Sequence, residues 1–562
     1  MTKRTPMPET TAEAFLALLK SRGIDWLFAN AGTDFAPIIE GLVRGRKAGI
    51  AMPQAVPIAH ETTAVAMAHG YYLATGRPQA VMVHVNVGMA NALMGLINAS
   101  RDHVPMLFCS GRTPLTEQGL LGSRDLPIHW GQEMFDQGGM VREFVKWDYE
   151  LRKPEQVQNA VDRALSLAMS EPRGPVYLSL PREILAERWT GETIAAEPAM
   201  QPANAGYPDP KAISAAVTIL HGAKRPLIVA GGNDASAFAG LSAFAERTGI
   251  PVAQFWPRRL ALASGHPMHA GFDVAGRISE ADAILVLDVM VPWLPAKHAL
   301  AANCRVIQIG PDPAFSKVPF RSFPGDVVIR ASVGSALEQL GAAMPKASSD
   351  RRRETAATLA TERADRIERA SVQPSGLSTN AWISACLDQE KGDDAIVFNE
   401  LGCDPSVMTF TRADSYFGHP IAGGLGWGVP AALGAKLALP DRPVIACVGD
   451  GSYMFANPVA CHQTAQALGL PILTIVFNNE VWNAVRKSTR AVYPKGHAAA
   501  SNDMPLSSLS PSPAFEKVVE ASGGLGILVE DPSALRAAIR QGLAAVRDGR
   551  QALINVRCAI GM

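Results

Sequence analysis

The sequence lacks a charge excess, a paired-cysteine pattern and a long unbroken apolar run. Its 52 basic residues balance its 52 acidic residues, so no overall charge draws it to nucleic acid or to a membrane surface. Its seven cysteines are scattered without a CxxC motif, as in a protein kept in a reducing cytoplasm. The longest apolar stretch, residues 421–440, is interrupted by glycines, prolines and a lysine, and residues 1–11 lack the apolar core of a signal peptide. We therefore expect a soluble, cytoplasmic protein without membrane or nucleic-acid partners.

The composition and the order of elements indicate the fold class. Hydrophobic residues make up 48% and charged residues 19% of the 562, which is typical of a well-packed globular enzyme with several domains. Short apolar strands alternate with helical stretches in three blocks, which predicts an α/β protein in which each domain is a mostly parallel sheet flanked by helices. We expect an N-terminal domain over residues 1–186, a central Rossmann-like domain over residues 211–345 and a C-terminal domain over residues 374–562. The first and third blocks share a layout, and residues 346–373 read as an exposed connecting helix.

One glycine-rich turn in the central block raises the question of a nucleotide. Ala230-Gly231-Gly232 follows an apolar strand but lacks the GxGxxG pattern, so we interpret it as a tight turn. FAD or an adenine nucleotide at this turn is left open but is not supported by the sequence.

The most informative residues form a pair of motifs in the third block. Gly449-Asp450-Gly451-Ser452 follows one apolar strand, and Phe477-Asn478-Asn479 ends the next. The carboxyl ends of parallel strands meet at one edge of a sheet, where open α/β folds place their ligands. A carboxylate, an amide carbonyl and free backbone groups at that edge suit Mg²⁺ that also holds a substrate phosphate. Two ordinary turns are the plain alternative, because both motifs are common turn sequences.

Two further segments have the residue types that such a ligand needs. Glu61 follows His60 at the start of an alanine-rich helix, where an acidic residue also matches the helix dipole. Gly423-Gly424-Leu425-Gly426 precedes another helix and would allow the backbone to approach a ligand closely. These segments, the run from His60 to Asn91 and the motif pair resemble the thiamine diphosphate enzymes of the 2-oxo acid decarboxylase and acetolactate synthase superfamily. The resemblance covers nearly the whole chain.

The resemblance implies a three-domain thiamine diphosphate-enzyme fold, with the pyrimidine-binding domain first, a central domain and the diphosphate-binding domain last. It implies that thiamine diphosphate and Mg²⁺ are the cofactors and that the active unit is a homodimer or homotetramer with active sites between subunits. The cofactor-binding residues that it implies are Glu61, Gly402, Cys403, Gly423, Leu425, Asp450, Gly451, Ser452 and Asn479. The metal ligands that it implies are Asp450, Asn479 and the backbone carbonyl of Val481. Glu61 would hydrogen-bond the pyrimidine ring, and Leu425 would support the bent cofactor.

The residues expected at the substrate do not follow one relative. His84 and Thr33 match the positions of the active-site histidine and serine of benzoylformate decarboxylase, whereas Gln132 matches the active-site glutamine of acetolactate synthases. His84 and Thr33 would handle protons or the substrate carboxylate, although a histidine at a strand end is often structural. Trp482 and Arg486 would lie on one helical face and shape the pocket, where Arg486 would pair with a carboxylate or face solvent.

These residues lead to one expected activity with stated alternatives. We expect decarboxylation of a 2-oxo acid and ligation of the remaining carbon fragment to a second carbonyl compound, an aldehyde or oxo acid, as in acetolactate synthase, with Gln132 as the reason for the ligation step. The alternatives are simple decarboxylation of the benzoylformate decarboxylase type and cleavage by an aldehyde or acyl-CoA lyase of the same superfamily. A non-catalytic protein that keeps the fold is disfavoured because both Glu61 and Asp450 are present.

Overall fold

Three parallel sheets form the framework of the protein. The computed structural model describes residues 7–191, 193–194, 196–232 and 234–561. In that part of the chain the strands assemble into sheets of six, five and six strands, and the strand pairs within each sheet are parallel. The three-domain α/β prediction is thus confirmed.

The strands are short and mostly buried on both faces, which is why they read in the sequence as continuous apolar runs. The first sheet contains Trp26–Ala29 (β1), Gln54–Pro57 (β2), Ala80–Val83 (β3), Leu107–Arg112 (β4), Asp148–Glu150 (β5) and Val176–Pro181 (β6). The second contains Pro226–Ala230 (β7), Val252–Ala253 (β8), Ala283–Leu287 (β9), Arg305–Gly310 (β10) and Val327–Arg330 (β11). The third contains Ile396–Glu400 (β12), Tyr416–Gly418 (β13), Val444–Gly449 (β14), Leu473–Asn478 (β15), Leu525–Val529 (β16) and Ala552–Arg557 (β17).

Helices connect the strands and cover the sheets. The helices of the first block are Thr11–Ser21 (α1), Ala36–Ala48 (α2), Glu61–Thr75 (α3), Val85–Arg101 (α4), Ile128–Gly131 (α5), Val157–Met169 (α6) and Arg182–Ala186 (α7). Those of the second block and the connecting helix are Pro210–Gly222 (α8), Ala237–Thr248 (α9), Ala275–Ile278 (α10), Val333–Ala343 (α11) and Ser349–Ala370 (α12). Those of the third block are Asn380–Glu390 (α13), Gly428–Ala438 (α14), Asp450–Phe455 (α15), Pro458–Leu468 (α16), Asn483–Val492 (α17), His497–Ser501 (α18), Phe515–Glu520 (α19) and Leu535–Arg547 (α20).

The first and third sheets have the same strand order, as their shared sequence layout predicts. The orders are β2-β1-β3-β4-β6-β5 and β13-β12-β14-β15-β17-β16. In each sheet the order in which successive strands are added reverses between two neighbouring strands. These are β1 and β3 in the first sheet and β12 and β14 in the third. Ligands of open α/β sheets bind outside the carboxyl ends of strands at such a switch point. The segments that follow these four strands contain seven of the fifteen predicted site residues: Thr33, His84, Gly402, Cys403, Asp450, Gly451 and Ser452.

Two local elements differ from the sequence expectation. Helix α4 begins at Val85, directly after β3, whereas the residue pattern indicates a helix over residues 90–99. The connection between Asp450 and Asn479 contains two helices rather than one. Asn457 adopts a left-handed conformation with φ of 51° and Pro458 starts the second helix, so the chain turns sharply between α15 and α16.

The chain forms two compact units. One comprises residues 1–204 and 420–440, and the other comprises residues 205–419 and 441–562. The segment 420–440 therefore packs with N-terminal residues, although its sequence position is in the third block. The domain bounds inferred from the sequence stay predictions. Among the described residues, no helix is long and apolar enough to cross a membrane.

Helices α3 and α14 pack closely through glycines in the first unit. A Cβ atom on Gly70 would lie 1.9 Å from the carbonyl oxygen of Ala431, and one on Gly434 would lie 2.0 Å from that of Met67. Both contacts involve backbone, which cannot move aside as a side chain can. The two helices are therefore held at a spacing that leaves no room for a methyl group at either glycine.

The variant Gly70→Ala is expected to destabilise the protein by about 1–3 kcal/mol, because overpacking of a tight contact forces the backbone apart. The denaturant midpoint of the first unfolding transition measures this loss. Gly222→Ala is the matched control, since no atom lies within 4 Å of a Cβ built at Gly222. Equal midpoints for the two variants would show that α3 and α14 tolerate a wider spacing.

Candidate active site

Asp450 lies at the carboxyl end of β14, where the first turn of α15 begins. Its carboxylate is buried, and it accepts hydrogen bonds from the backbone N–H of Gly451 at 2.8 Å and of Glu480 at 2.7 Å. Burial raises the pKa of Asp450, although the backbone hydrogen bonds act in the opposite direction. Because burial disfavours the ionised form of this carboxylate, a bound cation would stabilise it, which makes Asp450 a candidate metal ligand.

The turn after β15 brings the other predicted metal ligands to Asp450. Glu480 has a left-handed backbone with φ of 59°, and its N–H donates to Asp450. The side-chain oxygen of Asn479 accepts a hydrogen bond from Val481 N at 3.1 Å. A carboxylate, an amide oxygen and a backbone carbonyl therefore lie on adjoining segments, and Mg²⁺ prefers oxygen donors of this kind. The residues present fit the expected metal, whose ligand assignment stays a prediction.

The loop after β12 faces the same edge of the sheet. A Cβ on Gly402 would lie 2.6 Å from the backbone carbon of Cys447 in β14, so only glycine fits. Asn399 accepts from Gly402 N at 3.1 Å and donates to the carbonyl of Cys403 at 2.9 Å. Burial raises the pKa of the Cys403 thiol. The loop is therefore a rigid, neutral cradle beside Asp450, which suits a diphosphate held by backbone groups.

Trp482 packs against Gly451 and Phe455 of α15 rather than along a helix with Arg486. The indole would lie 2.1 Å from a Cβ on Gly451, and it meets the ring of Phe455 edge to face at 5.7 Å. Ser452, the next residue of α15, is buried. Trp482 is thus placed beside the predicted diphosphate residues Gly451 and Ser452, and its assignment to the substrate pocket stays a prediction.

Arg486 contacts the loop of residues 502–507. Its guanidinium donates to the side-chain oxygen of Asn502 at 2.6 Å and to Ser507 Oγ at 3.4 Å. Its Nε is buried and has no partner among the described residues. These contacts are typical of a residue that anchors a loop, and the pairing of Arg486 with a substrate carboxylate stays a prediction.

Glu61 is the first residue of α3 in the other unit. Its side chain is only 7% exposed, and Asn91 Nδ2 donates to Oε2 at 3.2 Å. A Cβ on Gly88 would lie 3.3 Å from Oε1, so the glycine leaves room at the carboxylate. His60 caps the helix by accepting from Thr62 N at 3.2 Å. A buried carboxylate with so few hydrogen bonds is available to a ligand that can donate one.

The predicted Gly423 and Leu425 lie in the same unit as Glu61, in the turn before α14. Gly423 adopts a left-handed conformation with φ of 72° and is exposed, and Leu425 is half-buried. Asn98 holds the turn from both sides, because its Oδ1 accepts from Gly424 N at 3.1 Å and its Nδ2 donates to Gly424 O at 2.9 Å. Gly423 N also donates to Pro420 O at 3.0 Å, so the turn is fixed by backbone and side-chain hydrogen bonds.

His84 follows β3 and is held between two side chains. Its Nδ1 lies 2.6 Å from Asp34 Oδ1, and its Nε2 lies 3.2 Å from Gln132 Nε2. Because a carboxylate only accepts, Nδ1 carries the proton of the neutral ring and Nε2 accepts from the amide. A Cβ on Gly32 would lie 2.1 Å from Nδ1, so this glycine lets the ring reach Asp34. The structure thus brings His84 and Gln132 into direct contact.

Thr33 lies next to Asp34 and contacts a second histidine. Its Oγ1 lies 3.4 Å from His129 Nε2. His129 Nδ1 accepts from the backbone N–H of Asp125 at 3.2 Å, so the ring proton lies on Nε2 and points at the threonine. Burial and the charge of Arg182 lower the pKa of His129. The ring is therefore neutral at neutral pH.

Sequence reasoning missed Asp34, His129, Asn91 and Asn98. Asp34 adjoins Thr33, and that position after an apolar strand was the one available signal. His129 and Asn98 have no local pattern that distinguishes them, since their partners are distant in the chain.

The family follows from comparison with known proteins. The N-terminal TPP binding domain of the thiamine pyrophosphate enzymes matches residues 9–140, their central domain matches residues 213–340, and their C-terminal TPP binding domain matches residues 401–556. The chain belongs to the thiamine pyrophosphate enzymes, which confirms the resemblance stated above. Its terminal domains are thiamine diphosphate binding domains, and its activity is that of the 2-oxo acid decarboxylase and carboligase superfamily.

Individual relatives have different reactions. The chain is 28% identical to a probable 2-ketoarginine decarboxylase of Pseudomonas aeruginosa, over 85% of this chain and 83% of that protein. It is 27% identical to a sulfoacetaldehyde acetyltransferase of Alcaligenes xylosoxydans xylosoxydans, over 98% of this chain and 93% of that protein. Among solved structures it is similar to the thiamine diphosphate-dependent 4-hydroxybenzoylformate decarboxylase of Rhodococcus jostii RHA1, with a TM-score of 0.79 and 25% identity over 98% and 99% of the two chains.

The central sheet has a small cavity at the turn considered for a nucleotide. The cavity lies at the carboxyl ends of β7 and β9 and has a volume of about 20 Å³, close to that of one water molecule. Gly232 has φ of 69°, and a Cβ there would lie 2.0 Å from the carbonyl oxygen of Arg259. These features are those of the tight turn that the sequence predicts.

Proposed function

We propose that the protein is a thiamine diphosphate- and Mg²⁺-dependent decarboxylase that releases CO₂ from a 2-oxo acid and protonates the remaining fragment to an aldehyde. The observation that supports this most is the arrangement Asp34–His84–Gln132, because it is built to exchange a proton at His84 Nε2. Thiamine diphosphate, when bound, supplies the carbon nucleophile and the electron sink that cleavage next to a carbonyl requires.

Asp34 orients the histidine. Its Oδ1 accepts the Nδ1 proton, and its Oδ2 accepts from Val85 N at 3.4 Å, so the carboxylate is held in place from two sides. The lone pair of His84 is thereby left on Nε2. A carboxylate in this position also stabilises the ring when Nε2 gains a proton.

Gln132 can serve both protonation states of His84. Its amide N–H donates to the neutral ring, while its Oε1 is buried and has no partner among the described residues. Rotation of the amide would present Oε1 to a protonated Nε2. The unsatisfied Oε1 can therefore accept a hydrogen bond from the protonated Nε2 of His84. Because this role belongs to a simple decarboxylation as well, the presence of Gln132 does not specifically favour ligation.

Thr33 is positioned for the substrate carboxylate. His129 Nε2–H donates to Thr33 Oγ1, so the threonine hydroxyl proton is free to point elsewhere. A hydroxyl donor beside a neutral histidine holds a carboxylate without the strong charge pairing that would oppose loss of CO₂. Glu61 would bind the pyrimidine, Asp450 with Asn479 and Val481 would hold Mg²⁺, and a homodimer would be the smallest assembly with both halves of a site.

The test identifies products by mass. Protein loaded with cofactor and Mg²⁺ is incubated with benzoylformate, 2-ketoarginine and pyruvate, each with and without sulfoacetaldehyde or another acceptor aldehyde. Release of CO₂ and of the aldehyde from at least one oxo acid, at a rate that the acceptor does not change, is expected. Absence of CO₂ from every oxo acid would overturn the proposal.

Ligation is the second candidate, and the full-length similarity to a sulfoacetaldehyde acetyltransferase favours it. In the same experiment it predicts a condensed or acetylated product that forms only with the acceptor. A faster rate with acceptor than without it would identify ligation as the main outcome, and CO₂ release would still occur from the oxo acid.

Replacement of Asp34 by asparagine is expected to slow turnover by about a hundredfold or more while leaving the KM and cofactor binding little changed. If the amide oxygen keeps the bond to Val85 N–H, its NH₂ group faces Nδ1 and forces the ring proton onto Nε2, against Gln132. Steady-state kinetics and calorimetric cofactor binding measure the two effects. Asp503→Asn, at an exposed position, is the matched control. A turnover within about twofold of the parent would remove Asp34 from its positioning role.

A further inference from the structure

A cavity of about 260 Å³ lies between the central block and the connecting helix α12. One wall is the loop of residues 264–269, and the other is one face of α12 between Ala356 and Ile367. None of the residues that line it belongs to the candidate active site. The cavity is therefore a separate feature of the second unit.

The polar lining of this cavity is basic or neutral. It consists of Arg363, His266, His269 and Ser264, and no acidic residue is among the described residues that line it. Arg363 donates to Thr409 Oγ1 at 3.0 Å, a neutral partner. The charge of the nearby Asp388 acts on Arg363, but Asp388 Oδ1 is already bonded to Thr409 N at 2.7 Å and Lys391 Nζ at 3.0 Å. Among the described residues, the Arg363 guanidinium is therefore not paired with a carboxylate.

Arg366 adds a second positive charge one turn further along α12. Its Nε is buried without a partner among the described residues, and its Nη2 would lie 3.5 Å from a Cβ on Gly271. Burial and the charges of Arg363 and Arg366 lower the pKa of His269 to about 3. His269 is consequently neutral, so Arg363 is the charged residue that lines the cavity, and Arg366 lies near His269 outside the lining.

His266 offers an unused hydrogen-bond donor. Its Nδ1 accepts from Met268 N at 3.1 Å, so the neutral ring carries its proton on Nε2. Nε2 is buried and has no partner in the part of the chain that the structure describes. Burial lowers the pKa of His266, while the charge of Glu246 and the backbone of Ser242, which also face the ring, act in the opposite direction. A buried donor without an acceptor is costly unless a ligand or water satisfies it.

Apart from Arg363, the wall formed by α12 is apolar. It is formed by side chains of one face of α12: Ala356, Leu359, Ala360, Ala364 and Ile367. The cavity thus combines a cationic end with an aliphatic surface, as in sites for small amphipathic ligands.

We propose that this cavity binds a small anion with an apolar body, such as a phosphate monoester or an organic carboxylate. The anionic group accepts hydrogen bonds from Arg363 and His266, and the apolar body lies against α12. Ser264 N donates to Phe410 O at 2.8 Å, and Arg363 donates to Thr409 Oγ1. The ligand would therefore contact two segments, the loop of residues 264–269 and α12, that are both bonded to residues 409–410. Because none of the lining residues belongs to the candidate active site, the ligand would occupy a second site rather than the substrate site.

The test uses the parent protein saturated with thiamine diphosphate and Mg²⁺, so that the diphosphate site is occupied. Calorimetry measures binding of phenyl phosphate, inorganic phosphate and benzoate. Phenyl phosphate is expected to bind once per chain, and Arg363→Gln is expected to weaken it by about tenfold or more, because hydrogen bonds to charged groups are the strong ones. Arg369→Gln, which removes the same charge from an exposed position of the same helix, is expected to leave binding unchanged.

A second variant keeps both arginines. Ala360→Leu adds bulk to the apolar wall and is expected to weaken phenyl phosphate more than inorganic phosphate, with no loss of thermal stability. Binding of benzoate that Arg363→Gln also weakens would show that the site accepts carboxylates, and binding of phenyl phosphate alone would restrict it to phosphate monoesters. No binding to the parent at millimolar concentration, or equal weakening by Arg363→Gln and Arg369→Gln, would overturn the proposal.

Discussion

Replacement of Glu61 by glutamine is expected to lower turnover by about a hundredfold to ten-thousandfold while the protein still binds thiamine diphosphate. Glu61 is buried at the first turn of α3 and has Asn91 as its side-chain hydrogen-bond partner among the described residues. A glutamine has nearly the same shape and can keep a hydrogen bond with Asn91. A glutamine side chain cannot exchange a proton with a pyrimidine ring nitrogen, so activation of the cofactor would be lost while the binding surface remains.

Two measurements separate these effects. Calorimetry with thiamine diphosphate and Mg²⁺ gives the cofactor affinity, which is expected to change by about tenfold at most, the value of one hydrogen bond. Steady-state kinetics with the best oxo acid gives the turnover number. Glu40→Gln, at an exposed position in α2, is the control for loss of a negative charge in the same unit. A Glu61→Gln protein that turns over at the parent rate would show that another group activates the cofactor.

Residues at the ends of strands and helices could be predicted from the sequence because their positions depend on local elements. Asp450 and Asn479 follow apolar strands, and the parallel pairing of β14 with β15 brings them to one edge. Glu61 starts a helix that its residue pattern predicts. For such residues the element type is enough, since the carboxyl edge of a parallel sheet gathers whatever follows its strands.

Partnerships between distant segments could not be predicted. Asp34 and His84 are brought together by the pairing of β1 with β3 and by the absence of a side chain at Gly32. His129 reaches Thr33 from α5, a four-residue helix that is too short to show a periodic pattern. Trp482 and Arg486 are four residues apart, but α17 begins after Trp482, so the indole turns back to Gly451 while Arg486 turns to the loop at Asn502. In each case tertiary packing, rather than local preference, decides the contact.

The grouping of residues 420–440 with the N-terminal unit has the same origin. Gly70 and Gly434 are ordinary helical glycines in the sequence, and their meaning appears only when α3 and α14 are in contact. Asn98 likewise is one asparagine among several until it is seen to hold Gly424. The packing places the turn with Gly423 and Leu425 in the same compact unit as Glu61.

The Asp450→Asn variant is expected to lose Mg²⁺-dependent binding of thiamine diphosphate, with an affinity at least about a hundredfold lower than that of the parent, because the ionised carboxylate is the one charged ligand proposed for the cation. Asparagine keeps an oxygen for Gly451 N–H, so the start of α15 is expected to remain folded. Calorimetric titration of thiamine diphosphate at fixed Mg²⁺ measures the loss. Asp441→Asn, an exposed position before β14, is the matched control.

Binding by the parent should also depend on pH with a defined sign. Burial raises the pKa of Asp450 in the metal-free protein, so as the pH falls a proton occupies this carboxylate before an ordinary aspartate would be protonated, and it competes with Mg²⁺. In the metal-free protein the ionised form costs stability at pH values above the raised pKa, and Mg²⁺ removes that cost. As the pH is lowered, cofactor affinity is therefore expected to begin to fall at a pH above about 4, which is the pKa of an ordinary aspartate. An affinity that stays constant through this range, or an Asp450→Asn protein that binds Mg²⁺ and cofactor as tightly as the Asp441→Asn control, would mean that the cation lies elsewhere.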